Sequence, residues 1–159
     1  PEGTLGTQPG EGKAMEIVMD APALMAFLRA EFGQVADQFE VETLTGDGIT
    51  LRLKVTELHL RPGGTVSGPS MFGLADVGVY LAVLSRIGPK GLAVTTSASL
   101  DFMRKPAAGR DLLAEVRLLK LGRALAVGDV LIRSEGIEAP VARAAMTYSI
   151  PPEDRSAMG

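Results

Sequence analysis

The chain has 159 residues, of which 46% are hydrophobic and 22% charged, the make-up of one folded domain around a single core. Its net charge is −3 and no Lys/Arg run exceeds two residues, which speaks against a broad phosphate-binding face and hence against a nucleic-acid partner. There is no cysteine and one histidine, so disulfides, thiolate nucleophiles, Cys-based metal sites and multi-His zinc sites are excluded.

Residues 1–13 are rich in glycine and proline without periodicity, and we expect a flexible tail up to residue 14, one domain over 15–152 and a second tail over 153–159. No apolar leader is visible at the start, and with the absent cysteines this sets the expectation of a cytoplasmic protein. Asp20 reads as an N-cap, with Pro22 soon after it. Leu24, Phe27, Leu28 and Phe32 follow at helical spacing, and Gly33 should close this short amphipathic helix.

Phe39–Leu44 alternates apolar and charged residues, the mark of a half-buried strand. Gly46-Asp-Gly48 is a turn signal, and a second alternating run from Ile49 to Leu60 should complete a hairpin with His59 inside its strand. A Ser-His-Asp triad would need that one His59, and no G-x-S-x-G elbow exists, so we read it as a strand residue with its own hydrogen-bond partner.

Arg61 to Pro69 is a Gly/Pro loop. From Ser70 to Ile87 the chain is apolar nearly all round, which predicts a helix buried on several sides, ended by Gly88-Pro89. Its core stretch, Met71 to Leu84, carries Asp76 and looks too short to cross a bilayer, so no membrane partner is expected. Strands should then follow over Leu92–Met103, Arg110–Leu121, Leu125–Ser134 and Ala139–Ile150, each with residues enough for one buried face. Short links make the sheet largely antiparallel, and the sum is an α+β layer fold, a curved sheet around one central helix. Such a sheet has open edges, a physical reason to expect self-association.

Chemistry is anomalous at one point. Asp76 lies in the most apolar segment, between Phe72 and Tyr80 one turn on either side, and must be hydrogen-bonded, paired or turned toward a cavity. A helix Asp facing solvent or a neighbouring subunit is the plainer alternative. The glycines before the helix let backbone approach another group, and the helix start offers free N–H groups to a developing oxyanion.

Gly64-Thr-Val-Ser-Gly-Pro-Ser-Met-Phe-Gly-Leu-Ala-Asp76, followed by Leu100-Asp-Phe-Met-Arg-Lys-Pro106, resembles the PaaI-like (phenylacetic-acid-type) acyl-CoA thioesterases of the hotdog superfamily. In that family the helix-start motif is G-x-x-H-G-G and an Asp on the helix follows the His by nine residues, the spacing of Ser67 and Asp76. The resemblance covers about residues 35–150. It implies a hotdog fold, a homodimer or dimer of dimers, and an acyl-CoA substrate with no cofactor beyond its coenzyme A moiety and no metal. It further implies Asp76 as general base or nucleophile, the Gly68 N–H as oxyanion donor from another subunit, and Thr95 as a hydroxyl that helps position water. Three positions depart from the pattern: Ser67 stands for the His, Pro69 for the second Gly, and Arg61 where some relatives carry Asn. Arg61, Arg104, Lys105 and Arg123 are candidates for the coenzyme A phosphates, with solvated surface charge as the alternative for each. Phe72 and Tyr80 are candidates for an acyl pocket, with core packing as theirs. A non-catalytic acyl-CoA or small-lipid binder on the same fold is the rival function. A dehydratase fits less well, because His59 does not occupy the position of Ser67.

Overall fold

A computed structural model describes residues 15–90 and 93–152; both expected tails lie outside the described residues. Helix α1 (Ala21–Glu31) starts where expected, with the Asp20 carboxylate accepting from the Ala23 N–H at 3.0 Å. It buries Leu24 and Leu28. Gly33 does not close it. Phe32 caps it, and Gly33 opens a second short helix, α2 (Gly33–Ala36), which turns the chain toward the sheet.

Strands β1 (Phe39–Leu44) and β2 (Gly48–Leu53) form the expected hairpin, closed by the Thr45 N–H donating to the Gly48 carbonyl at 2.9 Å. The second strand is shorter than the alternation suggests. It ends at Leu53, because Asp111, from far along the chain, accepts the Val55 N–H at 2.9 Å and Thr56 caps a single 3-10 turn, Glu57–His59. His59 therefore sits in a turn and not in a strand. Its Nδ1 accepts from the Thr56 N–H at 2.9 Å, which puts the neutral ring's proton on Nε2, 2.9 Å from Gln38 Oε1. The ring is buried, and burial holds its pKa below the ordinary histidine value.

Helix α3 (Gly68–Ile87) begins two residues before the expected Ser70, because Ser67 supplies the N-cap and Pro69 fits the first turn. Gly88, at φ 94°, ends it. By length and composition these 20 residues would suffice to cross a bilayer, contrary to the sequence expectation, yet 67% of the apolar window is buried inside the fold. The apolar surface is a core surface: α3 packs against β2, β4, β5 and β6. The contact is close, since a Cβ on Gly78 would stand 2.9 Å from Val116 and one on Gly128 3.0 Å from Val79. At the far end, buried Arg86 donates to Ser85 Oγ at 2.6 Å and to the Thr45 carbonyl, fastening the last turn to the β1–β2 hairpin.

Strands β3 (Val94–Phe102), β4 (Leu112–Leu121), β5 (Leu125–Ser134) and β6 (Pro140–Ser149) complete a six-stranded antiparallel sheet in the order β1-β2-β4-β5-β6-β3, curved around α3. On its outer face Arg52 meets Glu42, Asp111 and Glu135 at 2.8, 2.9 and 3.0 Å, tying the hairpin to the strand ends beside it.

One expectation fails informatively. Among the described residues strand β3 shows no buried face: it pairs only with β6 and leaves Val94 and Phe102 54% and 55% exposed. Its alternation also breaks. Thr95 pairs with Tyr148 and Ser97 with Thr147, so Thr96 is an extra residue, a β-bulge.

Candidate active site

Asp76 stands in the third turn of α3 and fulfils two of its three options. Thr95 Oγ donates to its Oδ1 at 2.5 Å, and the same oxygen accepts from the Tyr148 phenol at 2.8 Å. Its side chain also lines a cavity of about 260 Å³, whose other walls include Leu28, Phe32, Val35, Val77, Tyr80, Ala93 and Val94. A carboxylate held by two hydroxyl donors at the wall of an otherwise apolar cavity can accept a proton from a molecule placed there.

Thr95 reaches Asp76 because of the bulge. Residues 98, 100 and 102 follow the inward phase of β3, and an unbroken alternation carried back from them would place Thr96 inward and Thr95 outward; the bulge at Thr96 puts Thr95 on the inward side instead. Tyr148 arrives from β6, opposite Thr95 in register, and is 3% exposed. Burial, then the charge of Asp76, drives its phenol pKa well above the ordinary tyrosine value, so it stays a donor. The sequence reading missed it. A tyrosine in an alternating strand resembles any core residue, and the one signal was a buried hydroxyl in need of a partner. The Tyr80 ring packs against it with centroids 6.1 Å apart.

The helix start forms a second site. Ser67 Oγ accepts from the Ser70 N–H at 3.3 Å and donates to Ser70 Oγ at 3.0 Å, so the residue at the family's His position is a helix cap. The loop before it doubles back through Gly63 and Gly64, at φ 104° and 87°, closed by the Arg61 N–H donating to the Thr65 carbonyl at 2.9 Å. The Ser67 N–H donates to the His59 carbonyl at 2.8 Å, so the buried 3-10 turn positions the helix start. Among the described residues nothing accepts from the Gly68 N–H, as its place in the first turn allows.

Gly68 lines a cavity of about 430 Å³ together with Arg61, Thr65, Val66, Met71, Phe102, Met103, Arg104, Lys105 and Pro106. The fold thus gathers Gly68, Arg61, Arg104 and Lys105 in one place, and Asp76, Thr95 and Tyr80 in another. Phe72 lines neither cavity: it is 39% exposed on the helix surface, while Met71 beside it lines the second. Arg123 is exposed at the β4–β5 corner and lines neither cavity. Among the described residues no group of His, Asp and Glu could hold a metal ion.

Gly68 and Asp76 are eight residues apart on one helix, roughly 12 Å along its axis at 1.5 Å per residue. A single carbonyl carbon cannot touch both within one chain.

Comparisons with known proteins bear on the family and the fold. The family model described as the thioesterase superfamily matches residues 63–141, which contain most of the loop, α3, β3 to β5 and the start of β6. The protein PA0474 of Pseudomonas aeruginosa, named as an esterase, is 33% identical over 104 residues, 65% of this chain and 75% of that protein. A crystal structure from Silicibacter sp. TM1040, named as a thioesterase, is 62% identical, with a TM-score of 0.82 over 88% of this chain and 97% of that one. The phenylacetic acid degradation protein PaaI from Thermus thermophilus, solved as a mutant, is 28% identical with a TM-score of 0.64, over 75% of this chain and 99% of that one. By its matched segment, its relatives and its sheet wrapped around one long helix, the chain belongs to the thioesterase superfamily, on the hotdog fold and in its PaaI-like branch.

Proposed function

We propose that this protein hydrolyses the thioester of an acyl-CoA, with Asp76 as the base that activates water and the Gly68 N–H of a second copy as the oxyanion donor. The observation that carries this reading is the Asp76 carboxylate, fixed by Thr95 and Tyr148 at the wall of an apolar cavity. Water in that cavity gives a proton to Asp76 as its oxygen bonds to the thioester carbon. The carbonyl oxygen becomes an oxyanion, met by an N–H at the positive end of a helix. Collapse breaks the C–S bond, and the proton held by Asp76 goes to the departing thiolate. The cavity beside Gly68, with Arg61, Arg104 and Lys105, offers the positive charge that the phosphates of coenzyme A need.

The roughly 12 Å between Gly68 and Asp76 favours a site shared by two copies, and the unpaired edge of β3 offers the surface for such pairing. A homodimer, alone or as half of a dimer of dimers, is therefore part of the proposal. Sedimentation at micromolar concentration should give a species of at least twice the chain mass of 16.6 kDa; a compact monomer only would refute the shared site.

A second reading, a non-catalytic binder of acyl-CoA, is favoured by Ser67 serving as a cap and by Pro69, which has no N–H to offer. A panel of acetyl-, hexanoyl-, palmitoyl- and phenylacetyl-CoA separates the two. The hydrolase should release free thiol from at least one of them. A binder should release none, while the same ligands raise its melting temperature.

A further inference from the structure

The proposed base has two carboxylate oxygens in unequal surroundings. Oδ1 accepts from Thr95 Oγ and from the Tyr148 phenol, whereas no donor among the described residues meets Oδ2. The phenol also lies 3.0 Å from the Asp76 backbone carbonyl, so one buried hydroxyl touches both the side chain and the main chain of that residue. Tyr148 is itself held from two sides, by the β3–β6 register that places it opposite Thr95 and by the ring of Tyr80.

We propose that Tyr148 is a positioning residue for the Asp76 carboxylate: it pins Oδ1 from the sheet side and leaves Oδ2 as the oxygen that takes the proton of the attacking water. This rests on the reading of Asp76 as base and adds the group that orients it. Two consequences separate positioning from mere packing. A donor to a carboxylate favours its charged form, so losing that donor makes the base easier to protonate and moves the acid limb of the rate profile to higher pH. An unpinned carboxylate also samples rotamers that do not face the cavity, which lowers kcat without weakening substrate binding.

The test measures kcat and KM against pH for the unmutated protein, Tyr148→Phe and Asp76→Asn, with hexanoyl-CoA and phenylacetyl-CoA. Tyr148→Phe should lower kcat about tenfold, keep KM within about twofold and raise the acid limb by about one pH unit, the size expected for one hydrogen bond to a charged group. An unmoved acid limb in Tyr148→Phe overturns the inference, whatever happens to the amount of folded protein. If that variant does not fold, the chain's two tyrosines permit a second route. In a Tyr80→Phe background, 3-fluorotyrosine marks Tyr148 alone with a more acidic, stronger donor. The acid limb should then shift to lower pH relative to the same background with ordinary tyrosine, and an unmoved limb overturns the inference. Full turnover by Asp76→Asn, or none by the unmutated protein, removes the base itself and overturns both readings, an outcome distinct from failure of the Tyr148 variants alone.

Discussion

Asp76→Asn should lower turnover of an acyl-CoA by about a hundredfold or more, equivalent to about 2.7 kcal/mol in the barrier, while the protein still folds. Asparagine keeps the shape, and its carbonyl oxygen can still accept from Thr95 and Tyr148. What disappears is the negative charge and the capacity to take a proton from water. Stability should stay within about 1 kcal/mol, since the hydrogen bonds survive. Affinity for coenzyme A ligands should persist, because Arg61, Arg104 and Lys105 line a different cavity. Thiol release and thermal melting on the same preparation decide the matter: normal turnover in a folded Asp76→Asn protein would remove Asp76 from the mechanism and leave the fold untouched.

The largest effect on stability is expected from Gly48→Ala. Gly48 opens β2 and pairs with Arg117 of β4, and a Cβ there would stand 1.7 Å from the Val116 carbonyl oxygen and 2.7 Å from its carbon. The obstacle is backbone, so no rotamer change relieves it; the β2–β4 ladder must open or shift. That ladder carries Ile49, Leu51 and Leu53, all buried against the core. We expect a loss of about 3 kcal/mol or more and a fall in melting temperature of about 10 °C. Gly33→Ala, whose new Cβ meets nothing within 4 Å, serves as the control and should move the melting temperature by no more than about 2 °C. Equal melting of the two variants would mean that β2 and β4 do not approach as described.

How far the sequence could be read depended on whether a residue's role was local. The central helix was legible because its composition is apolar all round, and the sheet because its alternation survives in five of six strands. Asp76 was legible as a charge in the wrong company. Thr95 was placed only through the resemblance, since it reaches Asp76 across a bulge that no pattern announces. Tyr148 was missed because its partner lies 72 residues away on another element. The end of β2 was misjudged for the same reason. The alternation runs on toward Leu60, but the Val55 N–H is claimed by Asp111, 56 residues downstream. Burial of β3 was overestimated because composition records what a strand could bury and not whether its own chain supplies the cover.

The extra residue in β3 divides that strand into two independently phased pieces. From Ser97 onward, its outward side chains are Ser97, Ser99 and Asp101, paired across to Thr147, Ala145 and Arg143. Thr95, before the break, belongs to a different count. An unbroken alternation would instead place Thr96 opposite Tyr148 and turn Thr95 to the outer face. Deleting Thr96 would leave a regular edge strand in which Thr95 directly precedes Ser97 and still faces Tyr148, so the hydroxyl should stay on Asp76. An irregularity of one residue thus selects which of two adjacent threonines offers its hydroxyl to the carboxylate.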